Sequence, residues 1–472
     1  MKHDPFQNIW RQGVALLFTG GVLFLVGCRG IPTKGEKIAR RDHGEIAERF
    51  RPSGHLPTLP LLAASSSPDD FLRYAVLRHP KVEASYYEWA ASIERITVAR
   101  SLPDPVFTLG VDVQKGLEED VANMVMALMG GVMMELPGPG KLRARAELQT
   151  GESKAQFARF QLASIEAALG ARNAYYELFL VEQRVAITDS NLAFVRDIEE
   201  SARRRSEAGL SKLQDVLQAE SDGARLESDL ANLKDERVAL LAAWKSALGI
   251  APTEVDPPTP ETYQFTPEDG ASTATLAQVM ENNPRLRIMQ AEIKRAEAGI
   301  AVAYKSRVPD FSLGLEAEAP RTIGAENPRD TVWKPRLGVT VPIWRDRIAA
   351  EIAEAEAMKM AARADYSSEQ LELAREFALN SFRIREATRN LAVLRETLIP
   401  RQREIVELAQ RGYQGGVTTF FELIEQQRRL LDLELMEAES IAERELKIGE
   451  LNLLLAGEGA FALSTPVDGV KK

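Results

Sequence analysis

The chain has 472 residues, a net charge of −10 and a pI near 5.3. Alanine, leucine, glutamate and arginine dominate while aromatics make up only 7%, a bias that belongs to long helices rather than to several separate globules. The acidic balance excludes nucleic acid as a partner, because phosphate binding needs a basic face, and beyond the first thirty residues no run of about 20 apolar residues remains to cross a bilayer as a helix.

Residues 1–27 read as a signal peptide. Lys2 and Arg11 precede an apolar run from Val14 to Val26 that is too short and too N-terminal for a membrane anchor. It ends in Leu25-Val26-Gly27-Cys28, which resembles the cleavage box of bacterial lipoproteins, where the cysteine becomes the first residue and is lipidated. Cys28 is the sole cysteine, so no disulfide forms within the chain. A covalent lipid on Cys28 is the expected addition; the rival is an ordinary secretory signal with an incidental cysteine. Arg29 follows, not the aspartate that tends to hold lipoproteins at the inner membrane, which fits transfer to the outer one. Residues 28–68 are polar and rich in proline and serine, and read as an extended, lipidated leader.

From here the chain says the same thing twice. His79-Pro80, Pro103-Asp104 and Phe107-Thr108-Leu109-Gly110 recur as Asn283-Pro284, Pro309-Asp310 and Phe311-Ser312-Leu313-Gly314. Leu136-Pro137 recurs as Val341-Pro342, and Gly209-Leu210 before Asp215 recurs as Gly416-Val417 before Glu422. The offsets hold at roughly 204 to 207 residues, the mark of one tandem duplication. The first repeat takes residues 69–249 and the second 273–457, with a proline-rich connector at 250–272 and a loose tail at 458–472. Each repeat reads helix, strand, loop, strand, very long helix, turn, long helix.

The long helices carry a narrow apolar seam suited to helix neighbours, stepping Val181, Val185, Thr188, Leu192 and Val195 in one place and Leu226, Leu230, Leu233 and Leu240 in another. Pro400 predicts a kink or break in the second copy's first long helix, about Arg345 to Gln410. The short strands alternate. Phe107, Leu109, Val111 and Val113 oppose Thr108, Gly110, Asp112 and Gln114, and Phe311, Leu313 and Leu315 oppose Ser312, Gly314, Glu316 and Glu318. That pattern suits a barrel wall between lipid and water, and equally a soluble sheet with one wet face. Geometry separates the two. Four strands cannot close a barrel, a lipid-embedded sheet tolerates no free edges, and barrels of about eight strands are filled by their own side chains. Three chains supply twelve strands and an open lumen, which predicts a homotrimer with Asp112, Glu316 and Glu318 facing that lumen.

These residues resemble the TolC-type outer-membrane efflux family over essentially the whole mature chain. Leu102-Pro103-Asp104-Pro105, Pro137-Gly138-Pro139-Gly140-Lys141 and Ala174-Tyr175-Tyr176 are most similar to its heavy-metal resistance branch, cobalt-zinc-cadmium or copper-silver. The usual Pro-Gly-Lys run stands here as Pro137-Gly138-Pro139-Gly140-Lys141, a small departure from that branch's pattern. The resemblance implies a mainly α fold with a small β part: helical hairpins forming a periplasmic α-barrel, and four strands per chain in a trimeric transmembrane β-barrel. It also implies a periplasmic adaptor and an inner-membrane pump of the resistance-nodulation-division (RND) type as partners, with outer-membrane lipid around the barrel. The hairpin tips Gly209, Leu210, Gly416 and Val417 are where the family meets its adaptor. Glu422 and Glu425 match the position and spacing of the family's pore-constricting carboxylates, and Asp215 is the first-repeat equivalent of Glu422. The pattern departs at Thr418, where a relative carries arginine.

No nucleophile elbow, phosphate loop or metal-ligand spacing is present, so neither catalysis nor a bound metal is expected. Methionines at 124, 126, 129, 133 and 134 read as apolar filler rather than as soft-metal ligands. The function expected is a passive exit duct passing cargo, heavy-metal cations among the candidates. The alternative classes are a periplasmic helical adaptor and a scaffold lipoprotein without a pore.

Overall fold

The structure is a computed structural model that describes residues 32–114, 125–267, 275–322 and 331–455. Cys28, the signal peptide 1–27, Met124 and the tail 458–472 lie outside the described residues. In chain order the elements are α1 (Lys34–Phe50), a 3-10 turn (Pro52–Gly54), α2 (Pro68–Arg78), α3 (Pro80–Arg100), β1 (Val106–Gln114), β2 (Val125–Leu136), α4 (Lys141–Glu207) and α5 (Leu213–Ala247). The second half gives α6 (Leu276–Asn282), α7 (Pro284–Lys305), β3 (Asp310–Thr322), β4 (Val332–Thr340), α8 (Arg345–Val393), a π-turn (Leu394–Leu398), α9 (Ile399–Gln414) and α10 (Phe420–Leu455).

The chain divides into two units. The first takes the described residues within Met1–Gly44, Trp89–Gln156 and Met289–Asp365. It holds one antiparallel sheet in the order β1-β2-β3-β4, so β1 and β4 are each paired along one edge only. Met134 lies opposite Leu313, and Leu313 opposite Leu337, while Gly131 lies opposite Glu316, and Glu316 opposite Lys334. Because side chains alternate, Phe107, Leu109, Val111, Leu128, Val132, Met134, Phe311, Leu313, Leu315, Trp333, Leu337 and Val339 share one apolar face, while the other mixes glycine, threonine, methionine and charge. The apolar face is uncovered: Phe107 is 78% exposed, Leu109 82% and Leu337 75%.

The extended reading of the leader is corrected, since residues 34–50 form α1. Pro32 and Pro52 bracket a proline-free run, and the Thr33 hydroxyl accepts the Glu36 N–H at 3.1 Å to start the helix. Glu36, with no exposed surface, then accepts from Arg100 Nε at 2.8 Å, Arg40 Nε at 3.2 Å and the Thr97 hydroxyl at 3.2 Å. Two of those partners lie on α3, so a tertiary contact holds what local composition does not.

The second unit takes the described residues within Glu45–Glu88, Phe157–Ile288 and Tyr366–Lys472. The duplication is visible in its caps. Ser67 with Asp70 and Thr275 with Gln278 form the same reciprocal capping box before α2 and α6. The seam residues Val181, Thr188, Leu192 and Val195 are buried on α4, as are Leu230 and Leu233 on α5. The break expected at Pro400 takes the form of the π-turn just before it, with Ile399 N–H donating to Leu394 O. Proline cannot donate to the carbonyl four residues back, and the widened turn absorbs that loss. The connector carries no helix or strand among its described residues, up to Pro267. It is pinned instead by α4: the Tyr176 hydroxyl donates to Gln264 O at 2.9 Å, Tyr175 to Thr262 O at 3.3 Å, and Tyr263 on the connector to Glu182 at 2.7 Å.

Candidate functional site

The two long hairpins reverse through the same pair of hydrogen bonds. Leu210 N–H donates to Arg205 O at 2.8 Å and Gly209 N–H to Ser206 O at 3.0 Å; Val417 N–H donates to Gly412 O at 2.8 Å and Gly416 N–H to Tyr413 O at 3.1 Å. Gly209 has φ +72° and Gly416 φ +77°, the left-handed backbone that closes a helix with least strain when the residue is glycine. Leu210 and Val417 beside them are exposed.

The two tips pack on each other. Ala202, Val216 and Ala219 from the first hairpin bury against Tyr413, Phe420 and Leu423 from the second. Three polar contacts cross that seam. Arg205 donates to Gln414 O at 2.9 Å with its guanidinium 5.0 Å from the Tyr413 ring centre, Arg428 pairs with Asp222 at 2.5 Å, and the buried Gln427 amide donates to Asn191 at 2.8 Å. Asp215, half-buried in the first turn of α5, also acts across the seam. The Tyr413 phenol is pushed above its usual range, first by burial and then by the Asp215 charge, with Arg205 opposing both.

Glu422 has a task of its own. Thr419 N–H donates to its Oε2 at 2.9 Å and the Thr419 hydroxyl to the same oxygen at 3.0 Å, while Glu422 N–H returns a bond to that hydroxyl at 3.2 Å. This is a capping box at the start of α10, and its Thr-x-x-Glu signature stands in the sequence at 419–422. The Thr419 backbone bond, then the hydroxyl, hold the Glu422 carboxyl below the ordinary carboxylate range. Glu425, one turn on, accepts from Arg429 at 3.4 Å.

On the sheet, the carboxylates of β3 are paired with cations of β4: Glu316 with Arg336 at 2.5 Å and Glu318 with Lys334. Asp112 stands on β1 in register with Ala127. Met129 and Met133 share the face of Glu316 and Glu318, while Met134 lies on the apolar one. Among the described residues no group of three His, Cys, Asp or Glu side chains is placed to hold a metal ion, and no helix is long and apolar enough to cross a membrane.

Each half of the chain matches the family model described as Outer membrane efflux protein, at residues 72–250 and again at 275–456. The chain belongs to the outer membrane efflux protein family. That membership makes it an outer-membrane exit duct of an efflux system, a channel rather than a catalyst. The chain is similar to the cobalt-zinc-cadmium resistance protein CzcC of Cupriavidus metallidurans, 23% identical over 71% of this chain and 77% of that protein. Its fold is that of the outer-membrane channel OprN, with TM-score 0.69 and 19% identity over 83% of this chain and 90% of that one. The transmembrane channel CusC is also similar, with TM-score 0.71 and 14% identity over 83% and 92%. Within this efflux protein, the Arg205–Tyr413 and Arg428–Asp222 contacts join residues far apart in the chain, and no local pattern announces them. The Glu422 cap was legible in four consecutive residues.

Proposed function

We propose that three copies of this efflux protein close their four-stranded sheets edge to edge into one twelve-stranded barrel through the outer membrane, with the long helices forming a tunnel in the periplasm. One observation carries the reading: the sheet has two unpaired edges and one uncovered face on which Phe107, Leu109, Leu313 and Leu337 stand exposed. An apolar face that large is satisfied by lipid, and in lipid each free edge must find another strand. Two copies would make eight strands and a filled barrel; three leave a lumen.

The duct is passive. Cargo comes from an inner-membrane RND pump through a periplasmic adaptor, which meets the exposed tips at Leu210 and Val417 beside Gly209 and Gly416. Likeness to CzcC favours heavy-metal cations as cargo, and a lipid on Cys28 adds an anchor at the outer membrane. The periplasmic constriction lies at the joined tips, where Glu425, Glu422 and Asp215 from three copies ring the opening and favour cations. Within the barrel Glu316 and Glu318 are offset by Arg336 and Lys334, so the lumen wall there contributes little net selectivity.

Planar-bilayer recording on the purified protein tests this reading. Discrete conductance steps with a preference for cations are the expected result; a protein that inserts without conducting would leave the scaffold lipoprotein as the better description.

A further inference from the structure

The duplication makes a contact inside the chain informative about a contact between chains. Where the second repeat meets the first, Asp310 at the start of β3 accepts from Lys141 Nζ at 2.7 Å and from Gly138 N–H at 2.7 Å. Lys141 opens α4 just after β2 ends, so this pair ties the start of one repeat's sheet to the strand–helix corner of the other. Asp104 is the first-repeat counterpart of Asp310, and Arg345, which opens α8 after β4, takes the place of Lys141 at the helix start, the second corner being one residue shorter. Among the described residues neither Asp104 nor Arg345 makes an ion pair or side-chain hydrogen bond, and both are exposed. They also stand beside the two sheet edges that lack a neighbour, Asp104 before β1 and Arg345 after β4.

We propose that Asp104 of one copy pairs with the Arg345 guanidinium of the next, once at each seam of the closed ring. The pair repeats, between chains, what Lys141 and Asp310 do within one. A head-to-tail contact of this kind generates a ring when its rotation closes. The inference rests on the trimeric reading and adds the side chains that fix how far β1 slides along β4.

The copied contact is not identical, and the differences are consistent with it. Gly138 is packed so closely that an added Cβ would stand 2.2 Å from Pro309 O. Ile343 takes the corresponding place, so the neighbouring copy's Pro103 cannot approach as near and the backbone bond to the aspartate is lost. Arginine in place of lysine is longer and forked, and bridges the wider gap with two donors instead of one. Val341, Ile343 and Trp344 around it are exposed apolar side chains that the next copy covers.

Two sets of full-length variants test the pair. Asp104→Arg and Arg345→Asp each set like charges against one another, and each is expected to lower the yield of trimer in mild detergent about tenfold, with the exchange variant carrying both changes recovering most of it. Asp104→Cys combined with Arg345→Cys, treated with a short bismaleimide, is expected to give covalent dimers and trimers on a denaturing gel, while either single cysteine gives monomers. A wild-type trimer with no restoration by exchange and no crosslinked ladder would overturn the pair and leave the closed barrel standing. A wild-type monomer would remove both.

Discussion

The Arg205 guanidinium lies 5.0 Å from the centre of the Tyr413 ring and also donates to Gln414 O, so one side chain of the first tip holds both backbone and ring of the second. The residues are 208 positions apart (413 − 205), close to the repeat offset. Tips joined this way move together, and separating them costs the cation–ring contact, the carbonyl bond and the shared apolar cluster.

Arg205→Ala removes the first two of these. The expected cost is about 1–2 kcal/mol at the tip, read as faster amide exchange in residues 202–216 and 409–424 and as higher resting conductance. Tyr413→Phe is the matched control. The Tyr413 hydroxyl is buried with no protein partner among the described residues, so its removal leaves tip exchange unchanged or slows it slightly.

Glu422 separates two roles by substitution. Glutamine preserves the reciprocal cap at this helix position, whereas alanine abolishes it. If Glu422 also supplies charge to the constriction, Glu422→Gln reduces cation preference while leaving exchange at the start of α10 as in the wild type, and Glu422→Ala changes both. Equal selectivity in wild type and Glu422→Gln would assign the residue to the cap alone.

The cap also sets a pH dependence. The Glu422 carboxyl is held below its ordinary value of 4.5 by Thr419, so its contribution to α10 is fully present above that value. It is lost as pH falls through the lowered one. Amide exchange at Thr419 to Leu423, corrected for intrinsic rates, is therefore expected to stay flat from pH 7 to about 5 and to rise only below the carboxylate range.

Glu36 predicts stability rather than gating. It is enclosed by Arg100, Arg40 and Thr97, and although burial pushes its carboxyl up, the two arginines outweigh that and hold it below the usual range. Glu36→Ala leaves the Arg100 guanidinium, itself 12% exposed, without its carboxylate. The expected loss is about 3 kcal/mol, measured as a lower melting temperature and release of α1 in limited proteolysis, with conductance of the surviving channels unchanged.

Much of this fold could be read from one sequence because the sequence is doubled. Alternation at Phe107 to Gln114, repeated from Phe311, gives the strands and their two faces, since period-two patterning survives whatever the sheet packs against. Gly209 and Gly416 mark the reversals because the left-handed turn needs that residue, and Pro400 marks the π-turn because it lacks a donor. Helix α1 carries only a short local start at Thr33; the carboxylate of its first turn, Glu36, is satisfied by Arg100 and Thr97, more than sixty positions away, and no local pattern shows that. Ala174-Tyr175-Tyr176 is a mark of kinship in the sequence, and in the fold the two hydroxyls pin the connector's carbonyls. Glu422 is the opposite case, since its capping signature, Thr419-Phe420-Phe421-Glu422, is local and complete.

Native mass spectrometry of the detergent-solubilised protein tests most directly whether three chains share one barrel. A complex of three times the mass of the mature chain, dissociating only when the sheet is denatured, is the predicted result. A stable species of one chain mass, with Phe107 and Leu109 protected from labelling by the protein's own helices, would contradict it.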